Sequence, residues 1–313
     1  MDKSMQKRVD ALRKKLDEKS LDALMVLVEE NRRYLSGFSG EDGQFDESAG
    51  ALFITMDQLL LATDARYALQ AAKEAGAWRV FCYKQGVAKA LPEITKMLSI
   101  RRLAFESNRV SFKQYTEMQK NLSRPSAKVE LVPAENMVED IRVKKQEIEI
   151  QATRKALAIA ESAFEKTVES IRPGMTEKDV AWNLEKNMHE AGADSVAFPT
   201  IVASGPNSAL PHAVPTERKI RDREPITLDV GLRMDGYCCD MTRTVFIDEP
   251  KPTFKKIYRT VREAQVAGLD AVRSNVMSNI PDKAARDVIE KAGFGPFFGH
   301  ALGHGVGLAA HES

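Results

Sequence analysis

Cysteine is scarce: the 313 residues contain three, Cys82, Cys238 and Cys239. An odd count with two of them adjacent argues against a disulfide framework and for reduced thiols in a cytoplasmic protein. Long apolar runs are missing too. Stretches such as "GALFI" and "LLLAT" are far too short to span a bilayer, so no membrane partner is expected. Neither sign of charge dominates, since 46 basic and 45 acidic residues leave a net +1. Without a polybasic block, nothing in the composition calls for nucleic acid or an anionic membrane surface. The N-terminal "MDKSMQKRVDALRKKLDEKS" is charged and amphipathic and lacks the apolar core of a signal peptide. No glycine-rich phosphate loop follows any candidate strand. The stretch "SGFSGEDG" (36–43) does not fit the dinucleotide fingerprint and reads as a plain loop.

What the chain does have is ordinary material for a soluble protein of two domains: 43% hydrophobic and 29% charged residues. In the first part, apolar runs at "LDALMVLV", "GALFIT", "QLLLAT", "WRVFCYK", "RRLAFE" and "KVELVPA" read as strands. Helical spacing lies between them, as in "ARYALQAAKEAG" and "SFKQYTEMQKNL". This alternation predicts an α/β domain over 1–137 with a mostly parallel or mixed sheet. From Met137 the texture becomes a long helical stretch, broken around Val143–Gln146 and stopped by Pro173-Gly174. "TEKD" from Thr176 predicts a capped helix. The second domain, 138–313, is then expected to add strands at "PTIVASG" and "ITLDVGLRMDGYCCDMTRTVFI", and helices at about 252–274 and 281–293.

The stretch "ITLDVGLRMDGYCCDMTRTVFI" contains Asp235-Gly236, a strong two-residue hairpin signal. With those residues as the loop, Met234 faces Tyr237, Asp229 faces Thr242 and Gly231 faces Asp240. Side chains alternate with period two, so Asp229, Gly231, Asp240 and Thr242 share a face and the two carboxylates are diagonal neighbours. Gly231 opposite Asp240 is expected to leave an empty space. Aspartate is depleted in strands and costly to bury unless paired or metal-bound. The bland alternatives are a solvent-exposed face, or compensation by Arg233 or Arg243.

The segment "GHALGHGVGLAAH" shifts this balance. Carboxylates with a neutral imidazole form a donor set for a divalent metal. Its glycine density argues against a helix, and no glutamate directly follows His300 or His304, so the helical zinc-protease pattern does not apply. In extended chain His300 and His304 could share a face, while His311 falls on the opposite one unless the glycines bulge.

These residues resemble a known family. "TIVASGPNSALPHAVPT", "ITLDVGLRMDGYCCDMTRTVFI" and "GHALGHGVGLAAHE" are similar to the three signature segments of the pita-bread metallopeptidases: aminopeptidase P, prolidase and creatinase. "NRRYLSGFSG" and "LLLATDARYALQA" resemble the creatinase-type N-terminal domain. The resemblance implies an α/β creatinase-like domain followed by an α+β pita-bread catalytic domain. It implies that Asp229, Asp240 and His304 bind metal, Asp240 bridging two ions. His212 and His311 would be catalytic, handling protons and transition-state contacts, and His300 would line the substrate pocket. His189 matches nothing and reads as a surface residue. Two divalent ions are implied, manganese or cobalt before zinc, because the donors are carboxylate-rich and thiolate-free.

The expected function is an Xaa-Pro aminopeptidase acting on peptides with proline in the second position; the alternatives are an Xaa-Pro dipeptidase (prolidase) or a non-catalytic pita-bread binding module. Metal-free, creatinase-like hydrolysis is disfavoured by the aspartate pair. The family also implies a homodimer, and two further metal-binding glutamates C-terminal to His311-Glu312. The 313 residues are therefore expected to be a catalytic domain truncated at its C-terminus. With three of five ligands, they should hold at most one ion weakly and not cleave by themselves.

Overall fold

The alternating strand and helix signals of the first part form one mixed six-stranded sheet in the computed structural model, which describes residues 3–43, 47–123 and 129–312. In chain order the elements are α1 (Lys3–Glu18), β1 (Ala23–Val26), α2 (Glu29–Ser36), β2 (Ala51–Thr55), β3 (Leu59–Thr63), α3 (Ala68–Glu74) and β4 (Arg79–Cys82). Then come α4 (Val87–Met97), β5 (Arg102–Glu106), α5 (Phe112–Leu122), β6 (Glu130–Ala134) and α6 (Glu139–Arg142). The sheet order is β4-β3-β2-β1-β5-β6. Only β2 runs against its neighbours; β1–β5, β3–β4 and β5–β6 are parallel. The near-continuous apolar strands are explained by cover on both faces: β1, β2 and most of β3 and β5 are buried along their length. The "SGFSGEDG" loop is held by Arg32, fully buried, whose guanidinium donates to Gly40 O at 2.9 Å and Asp42 Oδ1 at 2.7 Å.

The chain divides into two compact units, Met1–Lys144 and Lys145–Ser313. The division lies after α6 rather than near Met137. α6 belongs to the first unit because Asp140 pairs with Lys15 at 2.7 Å and Arg142 donates to Asn31 Oδ1 at 2.6 Å.

The second unit opens with α7 (Glu147–Ser170) and α8 (Glu177–Glu190), followed by β7 (Ser195–Val196), β8 (Ile201–Ser204), β9 (Ile226–Val230), β10 (Leu232–Met234), β11 (Tyr237–Cys238) and β12 (Met241–Val245). α9 (Pro252–Ala271) and α10 (Asn279–Lys291) complete it. The predicted break before α7 is present. Thr176 caps α8, its hydroxyl accepting from Asp179 N, while the Asp179 carboxylate accepts from Thr176 N. Alanines 156, 160 and 163 of α7 pack with Val180, Leu184 and Met188 of α8 over the buried side of β9. The strands form two three-stranded sheets, β12-β9-β8 and β11-β10-β7. The candidate site is built where one passes into the other.

Candidate active site

The register that the turn dictates is the observed one. Asp235 and Gly236 have φ of 53° and 84°, both left-handed, as a type I′ turn requires. Met234 pairs with Tyr237 and, further along, Asp229 with Thr242. Between these ladders Gly231, Cys239 and Asp240 lie outside both strand pairs, linked by Cys239 N donating to Leu232 O at 3.0 Å. Asp240 thus sits at a break in the sheet, free of ladder geometry and half-buried. The expected space beside Gly231 does not exist, because the Phe198 ring fills it. A Cβ at position 231 would collide with Phe198 Cε1 and lie 2.6 Å from Cys239 O. Glycine is needed here so that an aromatic ring can approach the backbone.

The two aspartates differ in their surroundings. Thr242 Oγ1 donates to Asp229 Oδ1 at 2.7 Å. Asp240 faces the histidine segment, with Oδ2 3.4 Å from His304 Nε2. Burial, and then the Asp229 charge, push the Asp240 carboxyl above its ordinary pKa; His304 and His311 pull it back. Among the described residues neither aspartate pairs with an arginine. The Arg243 guanidinium instead donates to Thr242 O at 2.9 Å.

His304 and His311 come together because the glycine segment is not one extended strand. Gly305 and Glu312 form an antiparallel bridge, with N–O distances of 2.9 Å in both directions, and this folds His311 back beside His304. The rings meet edge to face with centroids 3.9 Å apart. One ligand atom each from Asp240, His304 and His311 lies within 4.8 Å of the others, a spacing that a single metal ion can span. His304 Nδ1 is 2.8 Å from Gly305 O. With the proton on that nitrogen, Nε2 keeps its lone pair toward Asp240, the tautomer a ligand needs. Two imidazoles and a carboxylate without a competing cation suit a divalent metal. Asp229 stands beside this group, and its charge is felt by Asp240.

The remaining predicted site residues are placed differently. His300 is exposed, its ring packed on Phe298 at 4.7 Å, and its carbonyl accepts from Arg286 at 2.9 Å. His212 is exposed in a turn after the short 3-10 segment Gly205–Ala209. Among the described residues no hydrogen bond or ring contact joins either to Asp240, His304 or His311. His189 is exposed on α8, as expected.

The segment around His212 is secured by a residue the sequence did not single out. Glu177 is fully buried and accepts from Ser204 N (2.7 Å), Ser204 Oγ (2.8 Å), Asn207 Nδ2 (3.1 Å), Thr216 N (3.1 Å) and Thr216 Oγ1 (2.6 Å). Burial raises its pKa, but these hydrogen bonds outweigh it, so the carboxyl lies below its ordinary value. The visible sequence signal was the capping box, which explained Thr176 and Asp179 and left Glu177 unassigned.

Residues 151–313 match the model of metallopeptidase family M24, and residues 8–144 that of the creatinase/prolidase N-terminal domain. The chain is 31% identical over 309 residues to the Xaa-Pro dipeptidase of Pyrococcus furiosus, covering 98% of this chain and 84% of the relative. Among solved structures, an Xaa-Pro dipeptidase from Bacillus anthracis superimposes with a TM-score of 0.91 at 34% identity, covering 99% of this chain and 84% of that one. An X-Pro aminopeptidase from Thermotoga maritima does so with a TM-score of 0.86 at 34% identity, over 97% and 83%.

Proposed function

The chain belongs to metallopeptidase family M24, and from that premise we propose that it hydrolyses the Xaa-Pro bond at the N-terminus of peptides. The observation that carries the proposal is the convergence of Asp240, His304 and His311 within a metal's reach, beside Asp229. Peptidases of this family are dinuclear metal enzymes. In this reading Asp229, Asp240 and His304 hold the metal, manganese or cobalt before zinc, because the donors are oxygen and nitrogen without thiolate. When bound, the metal supplies a Lewis acid and a hydroxide nucleophile at neutral pH.

The other residues act on protons and on shape. His311 stands against the ligand histidine and is assigned to the scissile carbonyl, where it donates to the developing oxyanion. His212 passes a proton to the leaving nitrogen. That nitrogen belongs to a proline ring and has no N–H in the substrate, so recognition rests on the shape of the ring. His300 with Phe298 offers an aromatic surface for it.

A second reading confines the reaction to dipeptides, and the names of the Pyrococcus furiosus and Bacillus anthracis relatives favour it. The name of the Thermotoga maritima structure favours the aminopeptidase. Turnover of Gly-Pro against Gly-Pro-Pro-Ala by the protein with Mn²⁺ separates them. Cleavage of both supports the aminopeptidase, cleavage of Gly-Pro alone supports the dipeptidase, and cleavage of neither contradicts the proposal. The resemblance also carries a homodimer into this reading, and the odd, partly adjacent cysteines carry a cytoplasmic setting. Light scattering that gives a monomer mass at micromolar concentration would remove the former.

A further inference from the structure

His304 and His311 touch although they lie on a glycine-rich segment whose described backbone forms no helix and only one isolated bridge. Such a segment has a large conformational entropy to lose, and something must fix it. The fixing group lies beneath the loop. Glu312, at the end of the fold-back, turns its carboxylate under the chain. Oε1 accepts from Ala309 N at 3.1 Å, and Oε2 meets Lys145 Nζ at 2.8 Å. The carboxylate fills the place of a side chain at Gly307, where a Cβ would lie 2.6 Å from Oε1. Lys145 is itself on a firm base: it precedes Gln146, the cap of α7, whose N–H donates to Glu149 Oε2 at 2.9 Å. Glu149 also accepts from Tyr237 Oη of β11 at 3.1 Å. From the other side, Cys238 N donates to Gly307 O at 2.7 Å, two positions before Asp240.

We propose that the Lys145–Glu312 ion pair positions the candidate active site, clamping the 304–312 segment shut so that His304 and His311 meet Asp240. The proposal rests on reading those histidines as site residues; Lys145 and Glu312 are positioning residues and neither belongs to the three within reach of a metal. The side chains of Lys145 and Glu312 are 19% and 8% exposed, against 54% and 63% for the pair that Lys155 of α7 makes with Asp235 of the hairpin turn. An exposed pair contributes little, whereas removing one partner of a largely buried pair leaves a desolvated charge that has to move toward water. In this case the loop would move with it.

The test uses the protein as wild type, Lys145→Met, Glu312→Gln, the double variant and Lys145→Arg. The first readout needs no metal and no turnover. The chain has five histidines, so selective labelling resolves their ring resonances. The His304–His311 contact should displace the ring shifts in wild type. Lys145→Met and Glu312→Gln should each abolish that displacement, leaving His189 and His300 in place, and Lys145→Arg should restore it. With saturating Mn²⁺, each single variant should lose about 10- to 100-fold in kcat, with KM little changed. The double variant should be no worse than the more damaged single, because both act on one element. Unchanged ring shifts in both single variants, or kcat losses that multiply, would overturn the clamp. Should Lys145→Met melt too readily for spectra, Lys145→Arg decides, since a charge-preserving change that still separates the rings contradicts the proposal. A wild type with the ring contact but no Xaa-Pro cleavage would count against the proposed function and leave the clamp standing.

Discussion

Asp240 gathers the site's electrostatics. Its carboxyl is partly desolvated, pressed by Asp229 and faced by two imidazoles, an arrangement a cation would relieve. Asp240→Ala should therefore abolish metal binding and lower Xaa-Pro turnover by more than about 100-fold; calorimetry and a peptide assay check the two effects separately. His311→Ala is expected to retain metal and lose turnover, because its proposed role is toward the substrate. Loss of metal in that variant would move His311 into the ligand set, where its distance to Asp240 and His304 also allows it to stand. At this scale the sequence was informative about residue types. It was silent on the Phe198 ring over Gly231 and on the fold-back that joins His304 to His311. Both depend on packing between segments distant in the chain, which periodicity does not record.

At the scale of elements, the hairpin was legible because its turn chemistry is local: Asp-Gly sets the register, and the register places every side chain. Gly231→Ala tests the part that was not legible. The added methyl meets Phe198 and a carbonyl, so a loss of about 1–3 kcal/mol by denaturant titration is expected, with Asp240 displaced and metal affinity lowered. The second element is the segment from Ser204 to Thr216, tied at both ends to Glu177. Glu177→Gln keeps the size but presents an amide donor to groups that are themselves donors. It should destabilise the protein by about 1–3 kcal/mol and increase proteolytic nicking near His212. The helix containing Glu177 could be read from its capping box; the partners of that glutamate, some thirty residues later, could not.

For the whole molecule, two buried carboxylates, one in each unit, should respond to pH in opposite senses. In the first unit, burial pushes the Glu106 carboxyl up to about 7, against hydrogen bonds from Val28, Asn31 and Leu27. A folded pKa above the ordinary 4.5 means that its stability contribution is complete below pH 4.5 and is lost as pH rises toward 7. Glu177 in the second unit has a lowered pKa, so its contribution is present above 4.5 and is lost as pH falls through the folded value. Hydrogen exchange across this range should show protection of the Ser204 and Thr216 amides, which donate to Glu177, declining on acidification, while the Leu27 and Val28 amides, which donate to Glu106, gain. Parallel changes at both carboxylates would contradict the assignment. The two-unit organisation was visible in the sequence as a change of texture, but the position of the division depended on the Asp140 and Arg142 contacts.

Asp240 and His304 are proposed to hold a divalent metal. Calorimetric titration of the 313-residue chain with Mn²⁺, wild type beside Asp240→Ala, decides this. Wild type should bind one Mn²⁺ weakly but saturably, and that binding should disappear in Asp240→Ala while the variant's melting temperature stays close to wild type. Equal binding by both proteins, or no binding by either, would contradict it.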